Sequence, residues 1–305
     1  MTGATEPPAI AVVGSVNLDI VVGVDRHPAP GETVLGGDRV DLPGGKGANQ
    51  AVAAARLGRD VAIVGRVGAD AAGARLRSGL EAEGVDVRHL ASDPEAPSGV
   101  ALIAVAPDGE NTIIVSPGAN ARVGRQDVDA ASELLASAAV TLLQLEVPPE
   151  AVGAAVRAAG GTVVLNPAPA RALEPEVLAG VDVLVPNRGE LGLLAGAGAP
   201  ADAGAAVALA RRLEGPASVV VTLGAEGAVV IEASRVERVP APAVEAIDAT
   251  GAGDAFCGAL ADALARGATL VEAARWGVAA AALSVGRMGA QDGMPDASQV
   301  AATLR

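Results

Sequence analysis

Aromatic side chains are nearly missing from this chain: 305 residues hold one Phe, one Trp and no Tyr. A core of that composition is assembled from many small aliphatic contacts, because Ala, Val and Leu supply most of the 50% hydrophobic content. The single cysteine, Cys257, excludes an internal disulfide and suits a reducing compartment. Basic residues are outnumbered 22 to 36 by acidic ones, a formal charge of -14. That balance excludes a nucleic-acid surface, which neutralises phosphates with Lys and Arg. No apolar run is long enough and free enough of Gly and charge to span a bilayer, and Met1 to Pro8 lack a basic segment followed by an apolar one. A soluble, cytoplasmic protein is expected. Among the basic residues only Lys46 is a lysine, so its position carries interest.

What is present is a regular succession of strand and helix patterns. Ala9 to Gly14 reads as a buried β-branched strand ending in Gly14-Ser15-Val16-Asn17-Leu18-Asp19. If the strand continues, Asn17 and Asp19 point the same way; an Asx-stabilised turn satisfies the same residues. Strand patterns at 20–42 and 98–116, joined by turns without a helix, predict a small antiparallel flap, with Asp108-Gly109 as a hairpin turn. Between them Asp60 to Gly65 reads as a strand and Asp70 to Glu83 as a helix. From residue 126 the alternation is βα: helix 126–138, strand 140–145, a helix from Pro149, and strands 162–165, 181–185 and 217–221. Polar residues stand where these strands run out, which is the binding edge of a doubly wound sheet. Glu146, Asn166, Asn187, Glu190 and Thr222 therefore belong to one rim. The fold class is α/β: a doubly wound, mainly parallel sheet flanked by helices, with a small β lid. Without an internal repeat or low-complexity linker, residues 1–305 are expected to form a single domain.

Two glycine-rich segments open helices. In Asp248-Ala249-Thr250-Gly251-Ala252-Gly253-Asp254, free backbone amides converge on a first turn, an anion site. A carboxylate placed there, Asp254, suits proton abstraction beside a transferring phosphoryl group. It equally suits a plain helix start whose dipole Asp254 complements, and the segment alone does not separate the two. In Gly44-Gly45-Lys46-Gly47-Ala48-Asn49-Gln50 the glycines allow close ligand approach and Lys46 and Asn49 add donors. The spacing is not that of a Walker A loop, and no G-x-G-x-x-G follows the first strand, which removes a dinucleotide-binding oxidoreductase.

These two segments resemble the signature regions of the ribokinase-like carbohydrate and nucleoside kinases. The resemblance continues through Gly14 to Asp19, Pro30 to Thr33, Gly109 to Asn111, Gly118 to Asn120, Gln144 to Glu146, Asn166 to Pro169, Asn187 to Glu190 and Gly289 to Gln291, nearly the whole chain. It implies ATP-dependent phosphorylation of the 5-hydroxyl of a pentose, with ribose the foremost acceptor. Asn17, Asp19, Gly44, Gly45, Lys46, Asn49 and Glu146 match positions that hold sugar hydroxyls, and Asp254 the base that deprotonates the acceptor. The amides of Gly251, Ala252 and Gly253 match an anion hole. Asn187 and Glu190 match an N-x-x-E motif that organises Mg2+ and phosphate, and Thr222, Gly224 and Gly227 a nucleotide loop. Asp248, Thr250, Ser284, Arg287 and Gly289 match loops that hold K+ through backbone oxygens. Gly293 stands where such kinases often offer that cation a serine, and Cys257 where they often carry Asn. A homodimer formed through the lid is implied as well. The resemblance leaves open deoxyribose, another sugar or a nucleoside as acceptor, and a catalytically idle sugar-binding homologue. The paired polar set and the scarcity of aromatics for base stacking disfavour a nucleoside.

Overall fold

The computed structural model describes residues 9–107 and 109–305. The N-terminal reading on Met1 to Pro8, and Asp108 of the hairpin turn, lie outside them. The chain runs β1 (Ile10–Val13), β2 (Asn17–Val24), β3 (Gly36–Gly44), α1 (Lys46–Arg56), β4 (Val61–Gly68), α2 (Ala71–Ala82) and β5 (Asp86–Asp93). It continues as β6 (Gly99–Val105), β7 (Asn111–Ser116), α3 (Arg125–Ala130), α4 (Ser132–Ser137), β8 (Val140–Leu143), α5 (Pro149–Ala158), β9 (Thr162–Leu165), α6 (Pro175–Ala179) and β10 (Val183–Leu184). The remainder is α7 (Arg188–Leu194), α8 (Ala203–Ala210), β11 (Ser218–Thr222), β12 (Ala228–Ile231), β13 (Val236–Val239), α9 (Ala252–Ala265), α10 (Leu270–Ser284) and α11 (Ala297–Thr303).

The large sheet has the order β13-β12-β11-β10-β9-β8-β1-β4-β5, parallel except for β12 and β13. The inner strands β1, β8 and β9 are largely apolar on both faces because both are covered. Ile10, Val12 and Ile63 pack with Phe256 and Leu260 of α9 and Ala51 and Val52 of α1. Ala11, Val13 and Val64 point the opposite way, into a layer with Leu135 of α4, Val152 of α5 and Leu191 of α7. The chain leaves β1 toward β4 and β5, then returns to β8 on the other side of β1. The ends of β1 and β8 thus flank the point where strand order reverses, the crevice in which open α/β sheets bind ligands.

The smaller sheet has the order β3-β2-β6-β7. It occupies the span expected for the lid, but it is mixed, not antiparallel. β2 pairs with β3 and β6 with β7 antiparallel, whereas β2 and β6 run parallel from Asn17↔Gly99 to Gly23↔Val105. The physical reason is the connection: β3, α1, β4, α2 and β5 intervene before β6, so the chain re-enters the lid from the same end as β2. One other reading changes: the helix expected over 126–138 is broken at Ala131, whose φ of -104° ends α3 before α4 begins. β5 pairs with β4, His89 opposite Val64.

Small residues let α1 and α9 approach closely. A Cβ on Gly258 would lie 2.5 Å from Ala53 Cβ and 2.7 Å from the Gln50 carbonyl oxygen. Gly258→Val is therefore expected to cost about 1–3 kcal/mol by overpacking, read as a lower urea midpoint; an unchanged midpoint would show that the two helices are not held at this distance.

Candidate active site

Three chain segments meet at the carboxylate of Glu146, just beyond β8. Its Oε2 accepts the Ser15 hydroxyl at 2.5 Å and the Lys46 backbone N–H at 3.0 Å. Ser15 follows β1, and its carbonyl in turn accepts the Ala48 N–H at 2.9 Å, locking the start of α1 onto the β1–β2 turn. This approach requires glycine. Gly45 has φ 87°, and a Cβ on Gly47 would sit 2.6 Å from Ser15 N.

Asn17 and Asp19 open β2, at the root of the lid. Asn17 Oδ1 accepts Asn120 Nδ2 at 2.7 Å, and Asn120 also bonds Val16 through its backbone N–H and C=O. The Asp19 carboxyl lies against Gly44, where a Cβ would be 2.2 Å from Oδ2. Burial, with Glu146 and Asp254 nearby, pushes the Asp19 carboxyl up to about 7, against the opposing pull of Lys46.

Asp254 is buried on the first turn of α9. Its Oδ2 accepts Asn49 Nδ2 and its Oδ1 accepts Gln50 Nε2, both at 3.0 Å. The donating ends of both amides are set by further amides. Gln50 Oε1 accepts Gln144 Nε2 at 2.6 Å, and Asn49 Oδ1 accepts Gln291 Nε2 at 3.0 Å. The Lys46 ammonium is held in its charged form by Asp254 above all, with Glu146 and Glu190 adding to it against burial.

On the other side of Asp254 opens a cleft of about 240 Å³, lined by Lys46, Asn187, Glu190, Thr222, Gly251, Gly253 and Asp254 among others. Gly251 caps α9 with φ 75°, in contact with Ala290. The Ala252 N–H donates to the Ala249 carbonyl at 3.2 Å, so of the three expected anion-hole residues Gly251 and Gly253 are those that line the cleft. Asn187 and Glu190 form a reciprocal capping box on α7, each bond 2.8 Å long. Burial raises the Glu190 carboxyl, opposed by the Asn187 N–H and Lys46. Thr222 ends β11 and bridges to Asn187, and the turn after it closes through Gly224 (φ 63°) and Gly227 (φ 91°), with Leu223 N–H donating to the Gly227 carbonyl. Cys257 also lines the cleft, but burial pushes its thiol well up, so it is inert.

The six residues expected around a monovalent cation lie in one loop cluster. Asp248 accepts the Thr250 N–H and the Gly289 N–H, both at 2.8 Å. The Ser284 carbonyl accepts the Arg287 N–H, and the Gly289 carbonyl accepts the Gly293 N–H. A Cβ on Gly293 would lie 2.4 Å from the Ser284 oxygen, so this loop has closed over the space a side chain would need.

Of the residues expected for the sugar, base and nucleotide groups, Lys46, Asn187, Glu190, Thr222, Gly251, Gly253 and Asp254 line one cleft, and Asn17, Asp19 and Gly44 stand at the root of the lid. Roles missed in the sequence belong to neutral side chains: Ser15, Gln50, Asn120, Gln144 and Gln291. All stand in or beside the recognised motifs, but an amide with no charge and no spacing rule shows its role only through its partners.

A buried carboxylate at the head of a helix, with a polar cluster on one side and an open cleft on the other, is an arrangement suited to phosphoryl transfer onto a small hydroxylated molecule. Residues 8–297 match the pfkB family of carbohydrate kinases, and the chain belongs to that family. It is 39% identical to ribokinase from Haemophilus influenzae, over 94% of this chain and 95% of the relative. It is 37% identical to a deoxyribokinase from Salmonella typhi, over 95% of this chain and 96% of that one. The structure of Arabidopsis thaliana ribokinase complexed with ribose and ATP superposes with a TM-score of 0.88 at 34% identity, covering 99% of both chains. The chain is accordingly an ATP-dependent carbohydrate kinase of ribokinase-like fold.

The raised Asp19 carboxyl has a consequence for stability. A folded-state pKa above the unfolded 3.8 favours folding below that value, and the contribution is lost as pH rises through about 7. Asp19→Asn is expected to raise the melting temperature of the unliganded protein more at pH 8 than at pH 5. Equal effects at both pH values would show that Asp19 is not strained by its neighbours.

Proposed function

We propose that the chain transfers the γ-phosphoryl group of ATP to the 5-hydroxyl of ribose. The observation that carries this reading is the position of Asp254, both oxygens fixed by Asn49 and Gln50, between the Asn17, Asp19 and Glu146 cluster and the cleft. Ribose hydroxyls donate to Asp19 and Glu146 and accept from Asn17, Lys46 and Asn49. An analogue lacking one hydroxyl leaves a buried polar group unpaired, which is the basis of discrimination against deoxyribose. The 5-hydroxyl oxygen attacks the γ-phosphorus, its proton passes to Asp254, and the bond to the β–γ bridging oxygen breaks to release ADP. Gly251 and Gly253 at the positive end of α9 receive the charge on the transferring group. Position and charge compensation are the main demands of this reaction.

Adenosine nucleotide phosphates lie along Asn187, Thr222 and the Gly224–Gly227 turn. Among the described residues no three His, Cys, Asp or Glu side chains converge on a metal, which suits Mg2+ arriving with ATP and keeping water and phosphate ligands. Glu190 and Asn187 are the residues that would hold that hydrated ion, whose charge would neutralise the phosphates. For K+ the donor set is chemically apt: carbonyl oxygens of Asp248, Thr250, Ser284, Arg287 and Gly289, tied together by the Asp248 carboxylate, with Gly293 adding no side-chain oxygen. A homodimer through the lid is supported by the exposed strand β7 and by the apolar Leu35, Leu102, Ile113 and Ile114 on that sheet and its hairpin. Among the described residues no helix is long and apolar enough to cross a membrane, and a cytoplasmic setting supplies the ATP.

Purified protein with ATP, Mg2+ and a panel of ribose, deoxyribose, fructose and adenosine tests the reading through ADP release. Ribose is expected to give the highest kcat/KM; release no faster than background with every acceptor would refute the kinase reading. Asp254→Asn should lower kcat about 10²–10⁴-fold while ribose affinity measured by calorimetry stays within a few fold. Retained turnover would remove Asp254 as the base. Replacing K+ by a bulky organic cation should slow the wild type, and an unchanged rate would mean that the loop closed over Gly293 holds no activating cation.

A further inference from the structure

Arg171 lies in the loop between β9 and α6, and neither its charge nor its burial is explained by the fold. Among the described residues it makes no ion pair, and burial lowers its pKa. Its Nε is buried without a partner. One nitrogen does all the bonding: Nη2 donates to the backbone carbonyls of both Leu145 and Val147. Those are the two peptides that flank Glu146. A third bond joins the same loops, from Leu145 N–H to the Ala168 carbonyl at 2.9 Å, and Ala168 lines the cleft.

β8 ends at Leu143, so the ladder that fixes the strand stops short of Glu146. Beyond it the carboxylate is constrained by what it accepts, from Ser15 and Lys46, and by whatever holds its own backbone. Two carbonyls left unpaired beside buried Leu145 and Val147 would be destabilising, and Arg171 satisfies both at once while pinning the chain on either side of Glu146.

We propose that Arg171 is a positioning residue for sugar recognition, clamping the 145–147 backbone so that the Glu146 carboxylate meets the acceptor sugar. This rests on the reading of Glu146 as a sugar ligand. Because a single nitrogen makes both contacts and the guanidinium fork is otherwise unused, a lysine ammonium can replace it, whereas an isosteric apolar chain cannot.

Steady-state kinetics of the full chain with ribose and ATP test the clamp. Arg171→Met should raise the ribose KM about tenfold, leave the ATP KM within twofold and lower kcat by no more than a few fold. Arg171→Lys should restore the ribose KM to near wild type. In the Glu146→Gln background, Arg171→Met should add little, since its effect passes through that carboxylate. If the Met variant does not fold, Arg171→Gln against Arg171→Lys gives the same comparison. A raised ribose KM in Glu146→Gln beside an unchanged one in Arg171→Met, or full additivity of the two, would overturn the clamp alone. An unchanged ribose KM in Glu146→Gln would overturn the reading of Glu146 and the clamp with it.

Discussion

The contact on which the rest of the structure depends is the one between the first turns of two helices that are about 200 residues apart in sequence. Asp254 on α9 receives one amide hydrogen bond per oxygen from Asn49 and Gln50 on α1. A buried carboxylate without such donors would be expensive to maintain. The donors in turn reach their positions only because Gly258 lets the helices touch and Gly47 lets α1 press against the β1–β2 turn. The geometry around the Asp254 carboxylate and the packing of the core are therefore the same set of contacts seen from two ends.

The scarcity of aromatics takes on a structural meaning in that light. Helices built from Ala and Gly can lie close to one another and to the sheet, and the glycines at 14, 47, 65 and 258 sit where any Cβ would strike backbone or a buried amide. Such a core gives up large apolar surfaces and gains short distances between elements. The site uses those distances, because its ligands are presented by backbone turns and short side chains with little reach.

Much of this was readable in the sequence. Strand 162–165 matches β9 residue for residue, and the helix read from Asp70 to Glu83 is α2 with Asp70 and Glu83 as its caps. The rim of Glu146, Asn187, Glu190 and Thr222 follows from polar residues placed after apolar strands, a local pattern. What was not readable depends on long-range geometry. The parallel pairing of β2 with β6 is set by a connection through five other elements, and nothing in either strand records its partner. β5 carries no apolar run to mark it, because Arg88, His89, Ser92 and Asp93 interrupt the pattern of a buried strand; as an edge strand it has only one neighbour to satisfy. The amide chain from Gln144 through Gln50, and from Gln291 through Asn49, to Asp254 joins residues that share no spacing rule.

The hairpin of β2 and β3 begins and ends at the site: Asn17 opens one strand and Gly44 closes the other, paired with each other across the ladder. No linker separates the lid from these residues. A tilt of the small sheet would act as a lever whose short arm carries Asn17 and Asp19 on one strand and the Gly44-Gly45-Lys46 junction on the other. The angle of the lid and the spacing of these polar groups are then one mechanical variable, and on the proposed reading of them an acceptor that fits would set the lid angle.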